Sequence, residues 1–192
     1  MKLTDVLSEK KAAIGERWFE SILETYPPDT QRFLKTHKEK FTNPVGSTVR
    51  EAVEGILKEL IARLGGQGGD FQEGRVPSYL DNIIRIRAVQ GFTASRAVSF
   101  VLALKGVVRR ELSRQEAAEV SGQLADLDAM VDELMLMAFD VYMNCREKIY
   151  EIRANELSRR TFRLLQKGGA IRGAEGGKPG AVGNKKKKEV DE

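Results

Sequence analysis

The stretch from Ser113 to Lys167, SRQEAAEVSGQLADLDAMVDELMLMAFDVYMNCREKIYEIRANELSRRTFRLLQK, decides the fold. It holds no proline and a single glycine, Gly122, so nothing in it forbids one long helix. Ser113 and Glu116 open it as a capping box, each side chain satisfying a backbone N–H that the first turn leaves orphaned. Val120, Leu124, Leu127, Val131, Leu134, Ala138, Val141 and Cys145 then alternate steps of four and three, the seam along which helices wrap around one another. Met130, Met135, Leu136, Met137 and Phe139 add apolar surface off that seam, so this half is expected to be covered on more than one side, by a bundle core or a dimer interface. After Cys145 the register degrades: Lys148, Asn155 and Arg159 stand where the seam should continue, and Ile149, Ile152, Phe162 and Leu165 keep only a thin apolar stripe. At 1.5 Å per residue the helix would extend about 80 Å, more than a four-helix domain of this size spans. Its far half is therefore either solvated or a connection to a partner, and the second reading selects Val131, Leu134, Ala138, Val141, Cys145, Ile149 and Ile152 as partner or dimer interface.

Upstream, the same periodicity recurs in shorter pieces. Asp5 to Thr25 reads as a helix with Thr4 as N-cap and Leu7, Ile14, Trp18 and Ile22 on one face, stopped by Tyr26-Pro27-Pro28. A short helical piece at Gln31–Lys35 and a turn over Phe41-Thr42-Asn43-Pro44-Val45-Gly46 follow. Ser47 to Leu64 carries Val49, Val53, Ile56, Leu60 and Leu64 on one stripe, and Gly65-Gly66 caps its C-terminus. The glycine-rich run Gly65–Pro77 reads as a flexible connection, Ser78 as the cap of a helix over Tyr79–Gln90 that Gly91 closes. Thr93 caps the next, with Ala97, Phe100, Val101, Leu104, Val108 and Leu112 at helical spacing. Nothing calls for strands. The expectation is an all-α bundle of about five helices with a long C-terminal helix. Residues 1–145 form the domain, 146–167 the extension of the last helix, and 168–192 a disordered Gly/Lys-rich tail.

Composition narrows the function classes. Of 192 residues 41% are hydrophobic and 31% charged, with one Cys, one Trp and one His. A lone histidine removes two-His metal sites, and His37, in a Lys-Thr-His-Lys-Glu-Lys context, reads as a surface residue rather than a haem ligand. No cofactor and no metal are expected. A lone cysteine cannot form an internal disulfide, and no apolar run approaches the ~18 residues of a membrane span, so the cytoplasm is the expected compartment. The glycines at 65, 66, 68 and 69 lack the Gly-Lys-Ser/Thr of a phosphate loop. Residues 1–145 carry 19 basic and 21 acidic groups, whereas residues 146–192 carry 13 and 7. A near-neutral body without a basic stripe argues against nucleic acid, leaving only weak anionic contact for Lys185–Lys188. These features point away from an enzyme.

Two residues resist the pattern. Arg85 and Arg87 stand about 200° apart on a helix, as do Ile84 and Ile86, so no orientation puts both arginines in water and both isoleucines in a core. Asp81 can pair with Arg85 at i−4, but Arg87 has no acidic residue at i±3 or i±4. Arg87 either snorkels to the surface or marks a buried ion pair or anion site. Cys145, on the seam, reads as a small buried apolar group; as a thiolate favoured by Arg146 it would instead be a redox group across a dimer.

Glu16-Arg17-Trp18 with Tyr26-Pro27, the Phe41–Gly46 run, and LDNIIRIRAVQGFTASRAVSFVLALKGVVRREL from Leu80 to Leu112 resemble one bacterial family: the N-terminal sensor domain of the RsbT co-antagonist protein RsbRD, also found fused to histidine kinases. The resemblance implies an all-helical, dimeric signal-input domain of the bacterial cytoplasm. Related stressosome sensor domains are globin-like without haem, and their last helix transmits conformation to a STAS module or a kinase core. This sequence departs from that arrangement after Gln166, where only a tail follows. The expected function is therefore a regulatory input or adaptor protein that binds a separate kinase, STAS-type regulator or other complex. The alternative is a constitutive accessory subunit with no sensing role.

Overall fold

A computed structural model describes residues 1–36 and 41–167, and every regular element among them is helical. His37 and the tail from Gly168 to Glu192, with Lys185–Lys188, lie outside the described residues. The helices are α1 (Leu3–Glu9), α2 (Lys11–Leu23), α3 (Pro28–Thr36), α4 (Pro44–Leu64), α5 (Val76–Val89), α6 (Ala94–Glu111), α7 (Arg114–Glu119) and α8 (Leu124–Lys167), with a 3-10 turn at Ser121–Gln123. The protein is all-α, with a long C-terminal helix.

Helix ends follow local chemistry where the sequence carries it. The buried Asn43 caps α4: its Oδ1 accepts from Gly46 N at 2.8 Å while its Nδ2 donates to the Leu34 carbonyl of α3 at 2.9 Å. A Cβ on Gly46 would sit 2.2 Å from Asn43 Nδ2, so glycine is required there. α4 thus begins at Pro44, inside the expected turn, with proline in its first turn where its missing N–H costs nothing. Gly66 (φ 73°) and Gly91 (φ 80°) terminate α4 and α5 as expected. In both, the next residue bonds back to the third-last carbonyl, Gln67 N to Ala62 O and Phe92 N to Arg87 O.

Elsewhere tertiary contacts override the local reading. The expected helix from Asp5 to Thr25 is two helices, broken at Lys10. Lys10 Nζ reaches the Glu111 carbonyl at 2.9 Å and Glu116 Oε2 at 2.6 Å, tying the break to the α6–α7 corner. The N-cap of α1 is Lys2, not Thr4, and Leu3 N is satisfied from afar by Gln123 Oε1 at 2.8 Å. α5 starts at Val76, inside the expected connection, so Ser78 is no cap. The Ser113–Glu116 capping box forms, but it opens only α7; the chain breaks at Val120–Gln123 before α8 begins at Leu124. The buried Val120 and the exposed Gly122 lie at that break.

The core gathers apolar faces from α1, α2, α4, α5, α6 and the first half of α8. Trp18 lies at its centre, its Nε1 donating to the Phe100 carbonyl at 2.7 Å and its ring 6.1 Å from that of Phe100. α8 is pinned to α4 by Arg63–Glu133 at 3.0 Å and to α6 by Lys105–Asp132 and Arg109–Asp128, both 2.6 Å. Tyr142 adds a hydrogen bond from its hydroxyl to the Phe92 carbonyl at 2.8 Å. The compact body runs from Met1 to Tyr150, past the boundary drawn at Cys145, because Cys145 is buried and Ile149 still packs on the core. From Glu151 the chain forms a second unit, helical to Lys167, in which residues 151–166 are all exposed.

The Lys10–Glu116 corner has a titration signature. The hydrogen bond from Lys10 and those from Ser113 hold the Glu116 carboxyl at about 2, well below the ordinary glutamate range. An acid whose folded pKa is depressed stabilises fully above its unfolded pKa and loses that contribution as pH falls through the folded value. Wild type is therefore expected to lose stability relative to Glu116→Gln between about pH 4.5 and pH 2, with a constant gap above pH 5, read from urea titrations across that range.

Candidate functional site

The interface residues chosen from the sequence divide in the structure. Val131, Leu134, Ala138 and Cys145 are buried in the chain's own body, so they pack the bundle and are not available to a partner. Val141 and Ile149 are partly buried against the same core, and Ile152 is exposed in the second unit. The heptad seam is thus intramolecular. Periodicity marks a face that needs covering and carries no information on whether the cover comes from the same chain.

A different line of α8 is left open on the body. Leu136 is 70% exposed, Phe139 45%, Met143 41% and Tyr150 55%. Their spacing places them on one helical stripe. Leu136, Met143 and Tyr150 stand seven apart, and Leu157 and Leu164 continue that step in sequence. Of these four, Leu136 and Phe139 are legible in the sequence as apolar surface off the seam, whereas Met143 and Tyr150 are missed, although the seven-residue step from Leu136 carries the signal. Arg146 lies along this stripe, 2.8 Å from the Tyr150 hydroxyl and stacked 4.8 Å from its ring centre.

Arg87 neither snorkels nor meets a carboxylate among the described residues. It is fully buried, and its guanidinium donates to the carbonyls of Ile22, Arg96 and Ala97, each at 3.1 Å, and to Thr25 Oγ1 at 2.8 Å. Ile22 and Thr25 belong to the C-terminal end of α2, which has no basic residue in its own last turn. Arg87 supplies the missing cation from α5, and Arg96 of α6 adds a bond to the Thr25 carbonyl at 3.0 Å. The partial negative charge of a helix C-terminus takes the place of a counterion. Tyr26, Phe92 and Phe100 close around the guanidinium at 5.7, 5.4 and 5.2 Å. Burial lowers its pKa, and Tyr26 opposes that shift. Only Nε is left without a partner.

Cys145 Sγ lies 3.8 Å from Asp81 Oδ1. Burial, then the Asp81 charge, raise the thiol pKa against the weaker pull of Arg85 and Lys148. Arg146, the expected activator, is engaged with Tyr150 instead. The site therefore disfavours the thiolate that redox chemistry needs. A cleft of about 470 Å³ opens elsewhere, where Gly15 of α2 meets Val53 and Leu57 of α4, with Glu9, Arg50 and Glu54 among its lining. Among the described residues no group of three or more His, Cys, Asp or Glu could hold a metal ion, and no helix is long and apolar enough to cross a membrane.

Replacing Arg87 by Ala removes four hydrogen bonds and the whole of a fully buried side chain, which is expected to cost about 3 kcal/mol in urea denaturation. Arg87→Lys is expected to recover less than half of that, because one ammonium cannot span the four acceptors. Cys145 is expected to react with a disulfide reagent at pH 8 about tenfold more slowly than free cysteine, and Asp81→Asn to speed it. Equal rates would show that Asp81 does not act on the thiol.

Comparison with known proteins bears on this arrangement. No solved structure matches the chain. It is 25% identical over 144 residues to an uncharacterized protein of Archaeoglobus fulgidus, covering 74% of this chain and 82% of that one. The family model of the RsbT co-antagonist protein RsbRD N-terminal domain matches residues 12–157, which takes in α2 to α7, the buried Arg87 and most of α8. The chain belongs to the RsbRD N-terminal domain family.

Proposed function

We propose that the protein is a non-catalytic regulatory input or adaptor domain of the cytoplasm that acts by binding other proteins, and that it works as a homodimer. The observation that carries this reading is the exposed apolar stripe Leu136, Phe139, Met143 and Tyr150 on a helix whose other face is already buried in the body. Large apolar side chains aligned on one face mark protein contact. The family description, which names a co-antagonist of RsbT, supports a role among regulatory proteins such as kinases and STAS-type regulators.

As an input domain, the body needs two packings with different affinity for a partner, and an effector must favour one of them. The cleft between α2 and α4 is of a size that takes a small molecule, and it adjoins the helix whose end Arg87 holds. An effector seated there would bias the position of α2 against α4 and α6. A ligand of that kind raises the melting temperature with concentration, whereas an accessory subunit without a sensing role shows no such shift.

Light scattering coupled to size exclusion tests the pairing. The full chain is expected to run as a dimer at micromolar concentration, and Leu136→Glu with Met143→Glu to run as a monomer of unchanged helicity. A wild-type monomer at ~100 μM would remove the stripe as a homodimer surface.

A further inference from the structure

The second unit, from Glu151, carries a surface of its own. Leu157, Leu164 and Leu165 are 66%, 70% and 43% exposed, and no residue from 151 to 166 is buried. Ala154, Leu157, Thr161 and Leu164 follow steps of three and four, the spacing of a coiled-coil seam. The seam alternates small and large: Ala154 leaves a recess before Leu157, and Thr161 leaves one between Leu157 and Leu164. One flank is basic, with Arg153 and Arg160 each immediately before a small seam residue. The other flank holds Ser158 and Leu165. Over residues 151–166 four arginines face two glutamates, a net +2.

This pattern discriminates among occupants. In a parallel pair of identical helices, each flanking residue meets the partner's opposite flank five positions on, so Arg153 would face Ser158 and Arg160 would face Leu165. In an antiparallel pair, like flanks meet, and arginine would face arginine. Neither arrangement supplies a carboxylate. An anionic lipid surface suits a broad apolar face flanked by cations on both sides, but here Arg163, Arg160 and Arg153 stand between Ile152 and the leucine line, while Ser158 and the acidic Glu151 stand between that line and Phe162. The flank asks for acidic residues and the recesses ask for bulky apolar ones.

We propose that residues 153–165 form the docking surface for an amphipathic helix of a separate protein. That helix carries Asp or Glu along the flank facing Arg153 and Arg160, and large aliphatic residues opposite Ala154 and Thr161. The proposal rests on the adaptor reading and names the chemistry of the partner for it; pairing of the body through Leu136 and Met143 is a separate matter.

Two synthetic four-heptad peptides test it on the full chain. Both carry Ile and Leu on the seam; one has Glu and the other Lys at all flanking positions, which keeps each from pairing with itself. Fluorescence anisotropy is expected to give at least about tenfold tighter binding of the acidic peptide at low salt, weakening as salt rises. Arg153→Glu with Arg160→Glu should reverse the preference, and Leu157→Glu with Leu164→Glu should abolish binding of both peptides while leaving the oligomeric state unchanged. Equal affinity for the two peptides, or a preference that the arginine reversal leaves intact, overturns the proposal. So does binding to vesicles of anionic phospholipid without discrimination between peptides, which would assign the segment to a membrane surface. Loss of the dimer in the Leu157 and Leu164 variant would assign it to a second copy and overturn it equally. The peptide preference and its reversal are read whether or not the body pairs through Leu136 and Met143, so failure of the adaptor reading's own test is read separately; only the oligomeric readout presupposes that pairing.

Discussion

A positive charge is buried in this protein against the end of a helix. Arg87 sits at zero exposure, with two carbonyls of α6, one carbonyl of α2 and the Thr25 hydroxyl as acceptors. Taking a guanidinium out of water costs several kcal/mol unless its donors find acceptors in good geometry, so its fork constrains α2, α5 and α6 together. The Trp18 hydrogen bond to the Phe100 carbonyl couples α2 to α6 a little further along. Through these contacts the position of α2 becomes common to the core and to the cleft it forms with α4.

The division of labour along α8 follows from the same economy of surface. Its first half must cover the body, and Val131, Leu134 and Ala138 do so completely. Ionic contacts with α4 and α6 border that seam. What is left over is apolar surface on the opposite side at Leu136, Phe139 and Met143, more than solvation requires of a helix already half-buried. Beyond Tyr150 the helix carries charge on most of its circumference, and a row of leucines remains. Two kinds of exposed apolar surface therefore occupy one element, each recognisable by what flanks it.

The capping box at Ser113, the glycines that end α4 and α5, and the apolar stripes of α4 and α6 were legible because each is settled within four or five residues. The breaks at Lys10 and at Val120–Gln123 were not, since their causes are distant. Lys10 is held by Glu111 and Glu116, and Gln123 bonds to the first residues of the chain. Asn43 lies between these cases: its capping of Gly46 is local, whereas its bond to Leu34 depends on α3 meeting α4.

The sequence by itself determined that the chain is helical, where most helices run, and that the first half of the last helix carries apolar residues both on and off its seam. It also exposed Arg87 as a residue that no local pairing could satisfy. Only the tertiary structure decided which of those faces the body covers and which it leaves open. A seam reads the same whether its partner lies on the same chain or another, and a buried cation reads the same whether an anion or a helix terminus receives it. Periodicity is a property of one helix, whereas burial and charge compensation are properties of several helices brought together.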